Sequence, residues 1–439
     1  MDRETARLFP PGYWDEPEPT ERKIAIEKAI SLQRTAENLR DLASRGMHPR
    51  KYPRAADAPA PQYYALAAGA KYLQAVLLRA MKDGDLAVAA EAIKALSRVA
   101  GAENLVAAMD GQGGAQPLVS ALTFPARTIR YLAAEALAQA RPKRRFTGWH
   151  LVVPVLVEAV RQTGAPTAVL VDPDLDRRNQ VKDLLRGAGC NVIDGEAFGA
   201  ALDAAQAAGG ADMLVLSSEM GAPGFGAAVA RVRSQAVMSR MPIVLIARSG
   251  EMLAARNMAK RDALVVAIDA GKVDAAAVTA AMATLKAAGG SAALTDQQAG
   301  EWAVRAANAL SLLAVTRNPV YDLSGATKSL IAALKDKRDA VRIATAGALA
   351  QFPDPEAQRG IADLADDASA SEAVRLAAYA AVSESVRRFG KLLTDAQIRA
   401  VVAVVAGTGS LKIREGAAQA LGALNLPSEK IKELILSVK

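Results

Sequence analysis

The sequence predicts a mainly helical chain, an α-solenoid of paired helices interrupted once by a five-stranded doubly wound α/β domain of strand order 2-1-3-4-5. Three observations predict it. A β-branched residue followed by arginine recurs near the start of alanine-rich helical stretches, at intervals of 33 to 41 residues. One interval, Ile129 to Val304, is 175 residues long, about 135 more than a repeat. Inside it, strand and helix patterns alternate five times, whereas the flanks read as helix.

Residues 1–62 read as an N-terminal arm, a helix and a proline-rich loop. Pro10, Pro11, Pro17 and Pro19, with Tyr13 and Trp14 between them, describe an extended tail laid down by its aromatics. Ile24, Ile26, Ala29, Ile30, Leu32 and Leu39 give helical periodicity over 21–45, and Pro49, Pro53, Pro59 and Pro61 mark a loop.

The helical repeats occupy 63–165 and 289–439. Their anchors are Ile129-Arg130, Val304-Arg305, Val341-Arg342, Val374-Arg375 and Ile413-Arg414, with Val88-Ala89 as an earlier, weaker copy. Periods of this length mark helix-pair solenoids, in which no repeat buries its apolar face alone. The best copy, Val341-Arg342 followed by Ala344, Ala348 and Leu349, resembles the HEAT-repeat family. The resemblance covers roughly 63–162 and 297–439. It implies that the arginines reach acidic groups of neighbouring repeats, with Asp339 and Glu372, two residues before their anchors, in that role. Thr128 and Lys412 show that the acid is not kept in every copy. Residues 150–162, with Val152, Val155, Leu156 and Val160 as the apolar face, read as the second helix of the interrupted repeat. The extra domain, 166–288, then lies between repeats.

That domain opens with Thr167-Ala168-Val169-Leu170-Val171-Asp172-Pro173-Asp174, an apolar run ending in acid. Such a run is a buried strand delivering carboxylates to the edge of a parallel sheet. The strands are placed at 168–171, 191–193, 213–216, 243–246 and 264–268, and the helices near 174–187, 198–207, 225–234, 251–260 and 274–286. Five such units predict the flavodoxin-like order.

From Val169-Leu170-Val171-Asp172 to Pro242-Ile243-Val244-Leu245-Ile246-Ala247, the domain looks like the receiver domain of bacterial response regulators. The resemblance implies an acidic pair for Mg²⁺, a phosphoacceptor aspartate, a hydroxyl residue and a lysine. Asp172 supplies the first acid, but Pro173 stands where the second belongs, with Asp174 one further on. Ser217 takes the phosphoacceptor position, Ala247 the hydroxyl position and Asp269 the lysine position; Ser249 and Lys272 lie only two or three residues away. Serine forms no acyl phosphate, and an acid in place of the lysine repels a phosphoryl group. The domain therefore reads as a degenerate receiver, and no cofactor is expected.

Other constellations have plainer roles beside the functional ones. Asp172, Asp174 and Asp176 are candidate metal ligands, but alternating acids at a helix start are also good caps, which is the preferred reading. Gly221-Ala222-Pro223-Gly224-Phe225-Gly226 matches neither a dinucleotide-binding nor a phosphate-binding glycine motif and reads as a β-α turn. His48 and His150 have no partner in sequence for metal binding or catalysis. Cys190, the single cysteine, excludes an intrachain disulfide and reads as a structural thiol. The net charge is +8, and residues 166–286 hold 13 acidic and 13 basic residues, so the excess lies in the helical parts. Lys143, Arg144 and Arg145, beside Phe146 and Trp149, are the interaction candidates and the best case for nucleic acid. No apolar run approaches the roughly 18 residues of a membrane span, and 1–21 lacks the apolar core of a signal peptide, so a cytoplasmic location is expected. The functional expectation is a non-enzymatic protein–protein interaction scaffold with a pseudo-receiver docking domain. A nucleic-acid-binding repeat protein and a signalling switch through the insert are the alternatives.

Overall fold

The fold is that of a computed structural model in which residues 61–107, 116–288 and 294–427 are described, together with positions 35, 37, 40 and 429. The arm, most of the first helix, most of the proline-rich loop and His48 lie outside the described residues. The chain divides into two compact units, Met1–Trp149 and His150–Lys439. It is mainly helical, with one five-stranded parallel sheet. Among the described residues, no helix is long and apolar enough to cross a membrane.

The first unit contains α1 (Pro61–Asp83), α2 (Leu86–Val99), α3 (Ala102–Val106), α4 (Pro117–Ala121) and α5 (Arg127–Ala140). Helix α1 packs on α2, and α4 on α5; α1 also meets α4, and α2 meets α5. Asp85 caps α2 by accepting the Val88 N–H, which satisfies one of the amide donors that a helix start leaves free. The buried faces are aliphatic and small: Leu73, Leu77, Ala89, Ile93, Leu96, Ile129, Ala133 and Leu137.

The second unit begins with α6 (Val152–Val160), passes through the α/β insert, and continues as α12 (Asp296–Val315), α13 (Ala326–Ala333), α14 (Asp339–Leu349), α15 (Pro355–Asp366), α16 (Glu372–Phe389), α17 (Asp395–Ala406) and α18 (Leu411–Ala423). The helices pair as α6/α12, α13/α14, α15/α16 and α17/α18, and neighbouring pairs meet like with like. One row is α6, α13, α15 and α17; the other is α12, α14, α16 and α18.

This packing revises two readings. Helix α6 is not the second helix of the preceding repeat but the first helix of a pair whose second member, α12, follows the insert. The β-branched anchors mark second helices: Val88, Ile129, Val341, Val374 and Ile413 each sit at the third residue of their helix and are buried. Val304 is the exception. Helix α12 starts two turns earlier, at the Thr295/Gln298 capping box, and Val304 is half-buried in its interior.

The repeat arginines also differ from expectation. Arg130 donates to the carbonyls of Phe124 and Pro125 (2.8 Å each), Arg375 to Ala365 O (2.9 Å) and Arg414 to Val405 O (3.2 Å). Ala365 and Val405 lie in the last turns of α15 and α17, where carbonyls lack helical partners and the helix dipole is negative, so arginine settles there rather than on an acid. Arg342 pairs with Asp339 of its own first turn. The acids cross between pairs instead: Asp339 accepts the Ser371 hydroxyl at 2.5 Å and Glu372 the Ser410 hydroxyl at 2.7 Å.

The insert runs β1 (Thr167–Val171), α7 (Leu175–Gly187), β2 (Asn191–Gly195), α8 (Phe198–Ala207), β3 (Met213–Ser217), α9 (Phe225–Ser234), β4 (Ile243–Ala247), α10 (Met252–Arg261), β5 (Val265–Asp269) and α11 (Ala275–Ala287). All strand pairings are parallel, in the expected order 2-1-3-4-5. Alternate strand residues face opposite ways. Val169, Val171, Leu214, Leu216, Leu245 and Ala247 meet α8, α9 and α10. Ala168, Leu170, Val215, Val244 and Ile246 meet α7 and α11. Cys190 is buried in the second cluster, and burial pushes its thiol pKa up, which suits an inert side chain.

Candidate functional site at the carboxyl edge of the sheet

The five strands end together, so β1, β3, β4 and β5 bring Asp172, Ser217, Ala247 and Asp269 to one edge. In open parallel sheets this edge is the usual ligand site. Here a side chain of the protein occupies it. Arg177, in the first turn of α7, donates through Nε to Asp172 Oδ2 (2.6 Å) and through Nη2 to Asp172 Oδ1 (2.8 Å) and Ser217 Oγ (3.1 Å). Its Nη1 pairs with Glu219 at 2.5 Å. Asp172 is 0% exposed and Ser217 1%, while the Arg177 side chain keeps 13% of its surface.

Each contact has a local cause. Asp172 follows an apolar strand and lies below the surface, where a lone carboxylate is costly unless paired. Asp174 caps α7 by accepting the Arg177 N–H at 3.0 Å, which fixes the first turn and sends the Arg177 side chain back over the strand ends. That backbone hydrogen bond holds the Asp174 carboxyl below its ordinary range. A planar fork suits a carboxylate met edge-on, which explains the bidentate pairing with Asp172. The hydrogen bonds that Arg177 donates to Asp172, against the opposing effect of burial, and then the one to Glu219 push the Arg177 pKa further up.

A second arginine extends the network. Arg248, in the turn after β4, pairs with Glu219 through its side chain, and its N–H donates to Ser218 Oγ at 3.2 Å. Arg248 is 63% exposed, so it forms the outer rim. Ser217 Oγ accepts the Glu219 N–H (3.2 Å) as well as Arg177, so its hydroxyl oxygen is engaged from two sides. Asp269 accepts the Gly271 N–H at 2.9 Å in the turn after β5. Ala247 is buried, and Ser249 and Lys272 are exposed.

The candidate metal ligands Asp172 and Asp174 each have partners within the fold. Asp172 is engaged by Arg177, and Asp174 is turned to its own helix. Among the described residues, no group of three or more histidine, cysteine, aspartate or glutamate side chains could hold a metal ion. Sequence reading misses Arg177, Glu219 and Arg248. Arg177 has a signal: it lies five residues after Asp172 and three after the cap Asp174, one turn into the helix that leaves the acidic strand end.

No protein-family model matches the chain, and no curated protein matches it. It is similar to a crystal structure of an engineered protein from the Northeast Structural Genomics Consortium, at 17% identity and a TM-score of 0.25, covering 92% of this chain and 82% of that one. At that TM-score nothing about this chain follows from the likeness.

The other interaction candidates lie in the first unit. Lys143, Arg144 and Arg145 are exposed in the turn after α5, and the Arg145 guanidinium lies 4.5 Å from the centroid of the Trp149 ring. His150 is exposed. In the glycine-rich turn, Gly224 adopts φ +74 before α9, a conformation that glycine permits, and Ala222–Pro223 is cis.

Proposed function

We propose that this chain is a non-enzymatic protein–protein interaction scaffold, a HEAT-like α-solenoid carrying a doubly wound, receiver-like domain that has become a fixed docking module. The observation that carries this reading is Arg177. Its guanidinium supplies, within the fold, the positive charge that Asp172 needs at the sheet edge, and it also engages Ser217. An edge neutralised by its own side chains is stable without a ligand and has little to offer a phosphoryl group. The two rows of helices, the buried anchors at the third position and the helices on both sheet faces support the solenoid and doubly wound descriptions.

The repeat arginines Arg130, Arg375 and Arg414 are engaged by backbone carbonyls, so a nucleic-acid reading rests on Lys143, Arg144 and Arg145. The scaffold reading is preferred for that reason.

Incubating the full chain with a small acyl phosphate and Mg²⁺ and measuring intact mass tests the non-enzymatic part. Unchanged mass is expected; gain of one phosphoryl group would overturn it. The docking part is tested by joining residue 166 to residue 294 through a short glycine linker, since Gly164 and Asp296 already touch. Partners of the intact chain should be lost from the shortened one, and an unchanged partner set would remove the insert from the function.

A further inference from the structure

An inserted domain on its own linkers moves relative to its host by default. Among the described residues, the junction in this chain departs from that expectation on both the outgoing and the returning side. Gly164 (φ +81) lies so close to the returning chain that a Cβ there would sit 2.4 Å from Asp296 Cα and 2.8 Å from Asp296 N. Gly209 (φ +104), in the turn before β3, likewise leaves room for Arg161, whose Cβ would lie 2.6 Å from an added Cβ. Gln162 is 6% exposed, and its Nε2 donates to Gly209 O at 2.8 Å and to Glu158 O of α6 at 3.1 Å, so one buried amide joins helix and insert. Asn191 Nδ2 at the start of β2 donates to Thr163 Oγ1 at 2.9 Å.

A residue from the neighbouring pair closes the junction. Arg338, in the turn before α14, donates Nη2 to Gln162 O (2.7 Å) on the outgoing chain and Nη1 to Asp296 O (3.2 Å) on the returning one. Asp336 holds that guanidinium in place through Nε (2.8 Å) and Nη2 (2.7 Å). All these contacts lie at the amino edge of the sheet. The carboxyl edge, with Asp172, Arg177 and Arg248, is the opposite pole, one five-residue strand or roughly 17 Å away.

We propose that residues 161–166, 294–296 and Arg338 form a rigid joint, so that the insert moves as one body with the helix rows and presents its carboxyl edge at a fixed orientation to them. This inference stands apart from the scaffold reading: the joint holds or fails whatever the edge binds.

The test measures the distance distribution between nitroxide labels at Leu253→Cys in α10 and Arg399→Cys in α17, both exposed positions. Cys190 is buried and stays unlabelled. A single narrow distribution is expected, roughly doubling in width in R338A as a hinge is freed. R338K keeps the charge but loses the fork that spans two carbonyls, and should fall between them. Circular dichroism checks that the variants fold, and if R338A does not, R338K carries the comparison. A broad distribution in the unsubstituted chain, or an unchanged width in every folded variant, would overturn the proposal.

Discussion

The two edges of the inserted sheet are held by different physics. At the amino edge, close approach and hydrogen bonds to carbonyls hold the chain: Gly164 against Asp296, Gly209 against Arg161, and carbonyls gathered by the side chains of Gln162 and Arg338. At the carboxyl edge, charge meets charge: Asp172 and Glu219 on Arg177, with Arg248 at the rim. The first arrangement depends on shape, tolerates no added atom and makes a joint. The second depends on compensation, and it fails when one partner is removed. One edge therefore fixes the domain to its host, and the other neutralises the place where a parallel sheet ordinarily takes a ligand.

The largest effect should come from breaking the charge compensation. R177A leaves the fully buried Asp172 carboxylate without its counter-ion, and loss of one partner of a buried pair costs about 3–5 kcal/mol. Adding D172N should recover a large part of that loss in urea unfolding, because a neutral amide no longer needs the guanidinium. A cost for R177A below about 1 kcal/mol, or no recovery, would mean that the edge is not held by this pair.

The shape-dependent edge gives the next largest effect. G164A combines a left-handed backbone with a Cβ 2.4 Å from Asp296 Cα, and should cost about 2–4 kcal/mol. Gly390 (φ +78, ψ −174) has nothing within 4 Å of its added Cβ, so G390A reads a positive-φ backbone cost without a close contact, about 1–3 kcal/mol. Equal losses in the two variants would mean that the close contact at Gly164 contributes nothing.

The two edges are unequally legible in the sequence. The carboxyl edge can be located because 167–171, 213–217 and 243–247 are apolar runs with clear ends, and a parallel sheet brings such ends together. Ser217, Ala247 and Asp269 can therefore be assigned to it from the amino-acid order alone. Arg177 leaves a weaker signal, its spacing from Asp172 and from the cap Asp174, which does not say that its guanidinium will meet Ser217 and Glu219 from another strand end. The amino edge leaves no motif. Gly164, Gly209 and Gln162 are ordinary linker residues until Asp296, across the whole insert, is brought beside them. The same distance hides the partner of α6. Its apolar face is visible, but α12 is separated from it by the entire α/β domain, so the periodicity closes the repeat on the wrong neighbour.

Acid should loosen the joint through Asp336. Burial pushes the Asp336 carboxyl up, but the hydrogen bonds and charge of Arg338 outweigh it and hold the group below its ordinary range. A lowered folded pKa means that the stabilisation is present above the unfolded value near 3.9 and is lost as pH falls through the folded one. D336N should therefore cost on the order of 1–2 kcal/mol at neutral pH, and the difference from the unsubstituted chain should shrink as pH drops below about 4. A difference that stays constant across that window would detach Asp336 from the joint.

Arg248 sets the lower bound of the comparison. It pairs with the same Glu219 as Arg177, yet it is 63% exposed where Arg177 is 13% exposed. Water and salt screen the outer pair, whereas the inner one is shielded by the strand ends. R248A should cost about 0.2–1 kcal/mol, and less in high salt, because the pair it breaks is exposed and Glu219 keeps its contact with Arg177. The R177A cost should persist in the same salt. If R248A instead matched R177A and kept its cost in salt, the two arginines would act as one buried unit, and the edge would need both to remain closed.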